Sequence, residues 1–483
     1  MPSTTAVSAP GKVLLAGGYL VLDRKYTGLV FGLDARIHVG VQHLPTRDGV
    51  SLCEIIVRSP QFTDAEWRYG YRLAEDDGGI EVTQLIGSSS PASSRNVFVE
   101  TALAYALTYV SVRVSPHLEP ASILILADND YYSQSATTRS SCISQFANFH
   151  VPLTDAHKTG LGSSAALVTA FTAAVLSHYL PKDIFTVADD SAKTLVHNLA
   201  QAAHCAAQGK VGSGFDVAAA VYGSCIYKRF SPAVLGGIGE IGTAGFARRL
   251  RDVVESTGQT KWDTEVIKQD VAKIPQGLRL VMCDVDCGSQ TVGMVKKVLK
   301  WRAENPQEAD DIWGWLQEKN SALGEVLAVL VKQREEDPEA FDASLKTLAD
   351  PSRPGGAPDI WNGRYIQLRT VLAQIRTLTR DMSSRSGVSI EPKPQTELLN
   401  ASSAVTGVIG GVVPGAGGYD AIALLVVDEP TVLKGLEQFL AGWSISSEND
   451  DPQAKPGRVR MLGVREENEG VRVETKDLYA SWL

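Results

Sequence analysis

Cysteine is scarce: six in 483 residues, too few and too scattered for the disulfide framework of a small secreted fold. The closest pair, Cys283 and Cys287 in "CDVDC", lies in a stretch that alternates like a strand. No matching Cys/His pair stands elsewhere at zinc spacing, so no metal site is expected there. Basic charge is also short. Lys plus Arg number 46 against 55 Asp plus Glu, a net charge of −9, which leaves no overall footprint for nucleic acid or a membrane surface. A small anionic substrate would need local basic pockets. No apolar run approaches the roughly eighteen residues of a membrane-spanning helix. The opening "MPSTTAVSAPGK" lacks the charged and apolar parts of a signal peptide, and the final "SWL" is not the peroxisomal tripeptide. A cytoplasmic location is therefore expected. The Walker phosphate-binding pattern is missing, and there is no internal repeat.

What remains is an ordinary globular composition, 44% hydrophobic and 21% charged, in a chain long enough for two or three domains. Short β-rich runs bounded by turn residues predict strands at Lys12–Leu22, Leu33–Gln42, Leu52–Ser59, Glu66–Leu73 and Ser122–Asp128. Helical patterns fall at Asn96–Ser111, Ser164–Tyr179 and Val187–Gln208, and "GSCIYKRF" (Gly223–Phe230) reads as a strand closing this part. Residues 231–273 read as a linker or partly helical excursion. A strand at Leu278–Asp286 then opens a second region of long helices followed by alternating strands. This order predicts an α+β architecture, with domains at 1–230 and 274–483 around the 231–273 segment. The residues before Ala9 are expected to fray.

Glycine clusters in four places. "KTGLGSSAAL" (Lys158–Leu167) sets two glycines and two serines before an apolar helical run. Free N–H groups and the macrodipole make a helix N-terminus electropositive, and glycines let a ligand approach the backbone closely. The segment is thus either a plain turn and cap or a phosphate seat, with Ser163 or Ser164 capping the helix or touching phosphate or a cation. In "APGKVLLAGGYLVLD" (Ala9–Asp23), Lys12 starts a strand, which is usually a solvated position. Gly17-Gly18 marks a bulge or a close backbone approach. "AAQGKVGSGFDVAAAVYGS" (Ala206–Ser224) presents Lys210, Ser213 and Asp216 on a turn, where an acid at a helix start is common. "GGVVPGAGGYDAIALLV" (Gly410–Val426) is either a mobile hairpin or a loop that closes on a ligand. His197 and His204 stand seven apart on one helix face, a spacing that reads as packing rather than catalysis.

Taken in order, "PGKVLLAGGYLVL", "TGLGSSAAL" and "PGAGGYDAIAL" resemble the three glycine motifs of the GHMP kinases. The chain is most similar to the fungal-type branch whose acceptor is 5-phosphomevalonate, on "AHCAAQGKVGSGFDVAAAVYGS" and "SGVSIEPKPQTELLNA" (Ser386–Ala401). The resemblance implies an N-terminal domain with a left-handed β-α-β crossover and a C-terminal ferredoxin-like α/β sandwich, with the active site between them. It implies ATP and Mg2+ as cofactors, and a step of the mevalonate pathway of isoprenoid and sterol synthesis. Small molecules, ATP and 5-phosphomevalonate, are the implied partners, with no nucleic acid, no membrane and either a monomer or a homodimer.

By the same resemblance, Lys12 and Asp216 are the catalytic pair. Lys158, Gly160, Leu161, Gly162, Ser163, Ser164 and Ala165 bind ATP. Lys210, Ser213, Arg385, Gly415, Ala416 and Gly417 bind the acceptor, with Arg139 a weaker candidate. Two departures stand out. Gly18-Tyr19 replaces the common Gly-Glu-His, and "LAQAAHCAAQ" offers no counterpart to the metal-binding glutamate of the mevalonate-phosphorylating relatives. Magnesium is then expected on the ATP phosphates and on Ser163 or Ser164. Phosphorylation of mevalonate itself, decarboxylation of the diphosphate and a silent ligand sensor remain as alternatives.

Overall fold

The computed structural model describes residues 4–45, 52–85, 94–114, 118–133, 145–267, 272–285, 293–352, 363–445 and 457–482. Cys287 and Arg139 lie outside them. Two sheets organise the described residues. The first, ten-stranded, contains β1 (Thr5–Ala16), β2 (Gly28–His43), β3 (Glu54–Arg58), β4 (Glu66–Leu73), β5 (Ile80–Gln84), β6 (Ala121–Ala127), β7 (Cys225–Lys228) and β8 (Glu265–Ile267). β14 (Glu466–Glu467) and β15 (Arg472–Val473) complete it from the far end of the chain. Its main path runs β15-β1-β2-β6-β3-β4-β5. β3 and β6 pair in parallel, so the chain between them crosses over through β4, β5 and the helix Val97–Arg113.

The second sheet contains β9 (Leu278–Val285), β10 (Val408–Val412), β11 (Ala421–Val427), β12 (Ser444–Ile445) and β13 (Gly457–Met461), in the order β10-β11-β9-β13-β12. Its four longer strands pair antiparallel throughout. With helices between β9 and β10 and one between β11 and β13, this is the βαββαβ order of a ferredoxin-like sandwich. No described helix is long and apolar enough to cross a membrane.

Two features depart from the sequence expectation. Thr5–Ser8 do not fray: they pair with β2, Val7 and Ser8 also pair with β15, and Ala6, Val7 and Ser8 are buried. The expected strand Lys12–Leu22 stops at Ala16, where Gly17 (φ 99°) and Tyr19 (φ 66°) turn the chain into a short 3-10 helix, Leu20–Leu22. Within 231–267, the helix Phe246–Val254 packs beside Val97–Arg113 and β8 pairs with β7.

The helix Ser163–Tyr179 explains how the site is positioned. It is buried on nearly every side and rich in alanine, which lets it lie close against β1 and β2. The helix Phe215–Tyr222 also packs on β1. The starts of both helices therefore meet the middle of β1, where Lys12 projects.

Candidate active site

Lys12 and the Gly160–Gly162 loop form one unit. The Lys12 amide donates to the Leu161 carbonyl at 2.9 Å, and its Nζ donates to the Gly160 carbonyl at 3.2 Å. A Cβ on Gly162 would stand 2.8 Å from Lys12 Cε, which the lysine chain could yield to, but Gly162 has φ 83°, and that backbone conformation favours glycine. Gly162 is also the N-cap of the helix Ser163–Tyr179, with no side chain capping it. The serines therefore do not cap. They occupy the first turn with their hydroxyls unspent on it, beside Ala165, and the amides of that turn are left for an anion.

Asp216 lies in the first turn of the helix Phe215–Tyr222, behind Gly214 at φ 84°. Burial pushes the Lys12 ammonium below the ordinary lysine value, and the nearby Asp216 carboxylate partly offsets that. Lys12 also stands 5.8 Å from the centre of the Phe215 ring. The sequence-predicted pair is thus brought together, and Lys12 is half-buried rather than a solvated strand-start residue.

The turn before Asp216 is held by a residue that sequence reasoning missed. Arg229 donates to the carbonyls of Gly212 (2.7 Å), Val211 (3.1 Å) and Leu22 (2.6 Å), and Tyr227 Oη donates to the Ser213 carbonyl at 2.8 Å. Ser213 is fixed there and Lys210 is exposed. Nothing around "YKRF" announced an arginine clamping backbone carbonyls, because the acceptors are far away in sequence.

The third glycine loop folds over the end of β1. Gly415 N–H donates to the Leu14 carbonyl at 3.0 Å, and Tyr19 Oη donates to the Ala416 carbonyl at 2.8 Å. A Cβ on Gly417 would meet the Ile390 carbonyl oxygen at 2.2 Å. Arg385, by contrast, is engaged elsewhere. It sits in the last turn of the helix Gly363–Ser386, paired with Asp381 at 2.9 Å and with Glu308.

A cavity of about 330 Å³ adjoins the Ser163–Ser164 side of this cluster. Lys158, Ser163 and Ser164 stand in its wall with Phe62, Trp67 and Phe98. The start of the helix Val97–Arg113 reaches the same space, with Asn96 capping it by accepting from Val99 N–H at 3.3 Å. This aromatic chamber was not read from the sequence, since its walls come from five separated segments.

His204 was read as packing, and the structure places it in the cluster. It is 2% exposed, its Nε2 is 3.1 Å from Ser164 Oγ and 4.0 Å from Asp216 Oδ2. His197 does pack: it is buried among Asn198, Tyr222 and Trp262, and desolvation holds its pKa down to about 4.

Comparison with known proteins places the chain in a family. Residues 144–224 match the family model for the GHMP kinases N terminal domain. The chain is 52% identical to a phosphomevalonate kinase of Gibberella zeae, over 99% of both chains. It is 48% identical to a phosphomevalonate kinase of Aspergillus fumigatus, over 100% of this chain and 99% of the other. Among solved structures, the Streptococcus pneumoniae phosphomevalonate kinase in complex with phosphomevalonate and AMPPNP superposes with a TM-score of 0.55 at 16% identity, covering 90% of this chain and 95% of that one, a likeness of fold. Relatives this similar, matched from end to end, leave one assignment: the chain belongs to the phosphomevalonate kinases of the GHMP kinase family.

Proposed function

We propose that this chain transfers the γ-phosphoryl group of ATP to the phosphate of 5-phosphomevalonate, giving 5-diphosphomevalonate and ADP, a step of isoprenoid and sterol synthesis. The observation that carries the reading is the place of Lys12, a half-buried cation lodged against the Gly160–Gly162 loop and facing Asp216.

The acceptor is a phosphate monoester with a second pKa of about 6, so it is mostly ionised at neutral pH and already nucleophilic. The obstacle is repulsion between it and the donor phosphates. Two unit charges at about 4 Å cost about 4 kcal/mol at an effective dielectric near 20. On this reading Lys12 bridges the two phosphates and offsets that cost, and preorganised charge is the main lever in phosphoryl transfer. Asp216 then orients Lys12 or the acceptor, and no strong base is required. On this reading Lys210 and Ser213, on the turn fixed by Arg229, and the Gly415–Gly417 loop receive the acceptor. Arg385 would have to leave Asp381 and Glu308 to join them.

The remaining space is assigned to ATP. The aromatic walls of the 330 Å³ cavity suit a planar base, and its Ser163 and Ser164 edge leads the phosphates to the helix N-terminus. Among the described residues no three His, Cys, Asp or Glu side chains group as a cation cage. Magnesium keeps water and phosphate ligands and needs few from protein, so the Ser163 or Ser164 hydroxyl and the Asp216 carboxylate suit it. Bound there, it would neutralise charge on the donor phosphates.

The test is ADP release, coupled to a dehydrogenase, with ATP and magnesium on mevalonate and on 5-phosphomevalonate in parallel. Turnover on the phosphate alone is expected, and turnover on mevalonate alone would overturn the acceptor. The cytoplasmic location belongs to the same proposal, and a fluorescently tagged chain collecting in peroxisomes would reject it.

A further inference from the structure

His204 joins three parts of the site that the sequence keeps apart. Its Nε2 lies 3.1 Å from Ser164 Oγ, 4.0 Å from Asp216 Oδ2 and 3.4 Å from Gln208 Nε2. Its ring centre is 5.5 Å from that of Phe98, with the planes 31° apart. Phe98 and Ser164 both line the cavity assigned to the nucleotide. One buried imidazole thus leans on a wall of that cavity, bonds a hydroxyl in the first turn of the phosphate-facing helix and faces the carboxylate beside Lys12.

Packing alone does not call for an imidazole here. An apolar side chain of similar volume would fill the space, but Ser164 would be left to rotate among its staggered rotamers. Whichever atom donates, the Nε2–Oγ bond selects one rotamer. It does so in the helical turn whose amides and hydroxyls must point at phosphate before the reaction begins, which is the condition for preorganised stabilisation. The helix Asp190–Gln208 carries His204 and the helix Phe215–Tyr222 carries Asp216, so the side chain bonded to Ser164 also comes within 4.0 Å of the carboxylate beside Lys12.

We propose that His204 is a positioning residue of the phosphoryl-transfer site and acts through the Ser164 hydroxyl. The inference rests on the functional reading above. Its test compares His204→Gln with His204→Asn in the full-length protein, each with and without Ser164→Ala. Glutamine can bring an amide atom to where Nε2 stands, whereas asparagine stops one carbon short.

The Asn variant is expected to lose roughly tenfold or more in kcat, as when an outer partner of a ligating group is removed. Its affinity for the ATP analogue AMPPNP with magnesium, read by calorimetry, should fall roughly fivefold. The Gln variant should keep most of both. In the Ser164→Ala background, Gln and Asn should be equal. Equal Gln and Asn variants with Ser164 present would overturn the proposal, as would a Gln–Asn difference that survives in Ser164→Ala. Should His204→Asn not fold, His204→Leu takes its place with the same two outcomes. A wild-type enzyme silent on 5-phosphomevalonate would sink the functional reading alone, and the AMPPNP affinities would still decide on His204.

Discussion

The carbonyl oxygen of Gly415 stands 2.3 Å from the point that a Cβ on Gly18 would occupy. The two glycine segments meet backbone to backbone, and neither can retreat. Gly415 N–H is bonded to the Leu14 carbonyl, and the next residue's carbonyl is held by Tyr19 Oη. Gly18→Ala is therefore expected to destabilise the protein by about 1–3 kcal/mol, the usual cost of overpacking, and to raise KM for the acceptor. Urea unfolding and acceptor titration measure the two effects. A variant matching wild type in both would mean that the loop moves aside freely.

Lys12 offers a pH test. Burial lowers its pKa below that of a lysine in the unfolded chain. Between the two values the unfolded chain binds more protons, so this group's contribution to stability rises as pH rises through that window. Activity should move the other way, falling on the alkaline side below the ordinary lysine titration as the bridging charge is lost. Lys12→Arg should lack that limb, because its charge persists. Lys12→Met should lose about 100-fold or more in kcat without losing stability. A wild-type limb at the ordinary lysine value, or full activity in Lys12→Met, would contradict this role.

Trp67 lines the cavity assigned to ATP and donates from Nε1 to the Ser94 carbonyl at 2.9 Å. Trp67→Phe shortens that wall and removes the bond. KM for ATP should rise roughly fivefold, the worth of about one hydrogen bond, while KM for the acceptor holds. Initial rates with each substrate varied in turn separate the two. An increase confined to the acceptor would place the nucleotide elsewhere.

Glu391 is fully buried and accepts from Arg376 Nη2 at 2.8 Å, Arg380 Nη1 at 2.7 Å and Thr396 Oγ1 at 3.0 Å. Removing its charge leaves Arg376, itself buried, without an anion. Glu391→Gln is expected to cost about 3–5 kcal/mol. Arg380→Ala, whose side chain is 37% exposed, should cost about 1 kcal/mol or less. Denaturant midpoints for both variants check the contrast, which should vanish if the three charges contribute alike.

Legibility in the sequence followed range. Gly160 and Gly162 could be read because the local pattern carries its own reason, a turn before a helix start; Lys12 could not, since its own stretch reads as a solvated strand start and only the resemblance singles it out. The βαββαβ order of the second sheet could also be read, since its strands and helices are continuous runs. His204 could not. On its own helix it is one more residue of a buried face, and only the fold brings Ser164 and Asp216 to it. The same holds for Arg229, whose acceptors include the Leu22 carbonyl, and for the chamber around Trp67. β15 lies in "GVRVETK" (Gly470–Lys476), and nothing local there says that its partner is β1 of the first sheet.

That last pairing sets a timetable. Arg36 is 2% exposed, and its guanidinium is satisfied by Ser8 and by the carbonyls of Glu469 and Gly470, while Ser8 Oγ donates to Glu474 at 2.6 Å. On the ribosome, β1 and β2 emerge long before those acceptors exist. At about 5–20 residues per second, the wait is on the order of tens of seconds. Throughout it, one edge of the first sheet stands open and a guanidinium destined for the interior lacks its acceptors on Glu469 and Gly470. The strand made first is sealed by residues made 466 positions later.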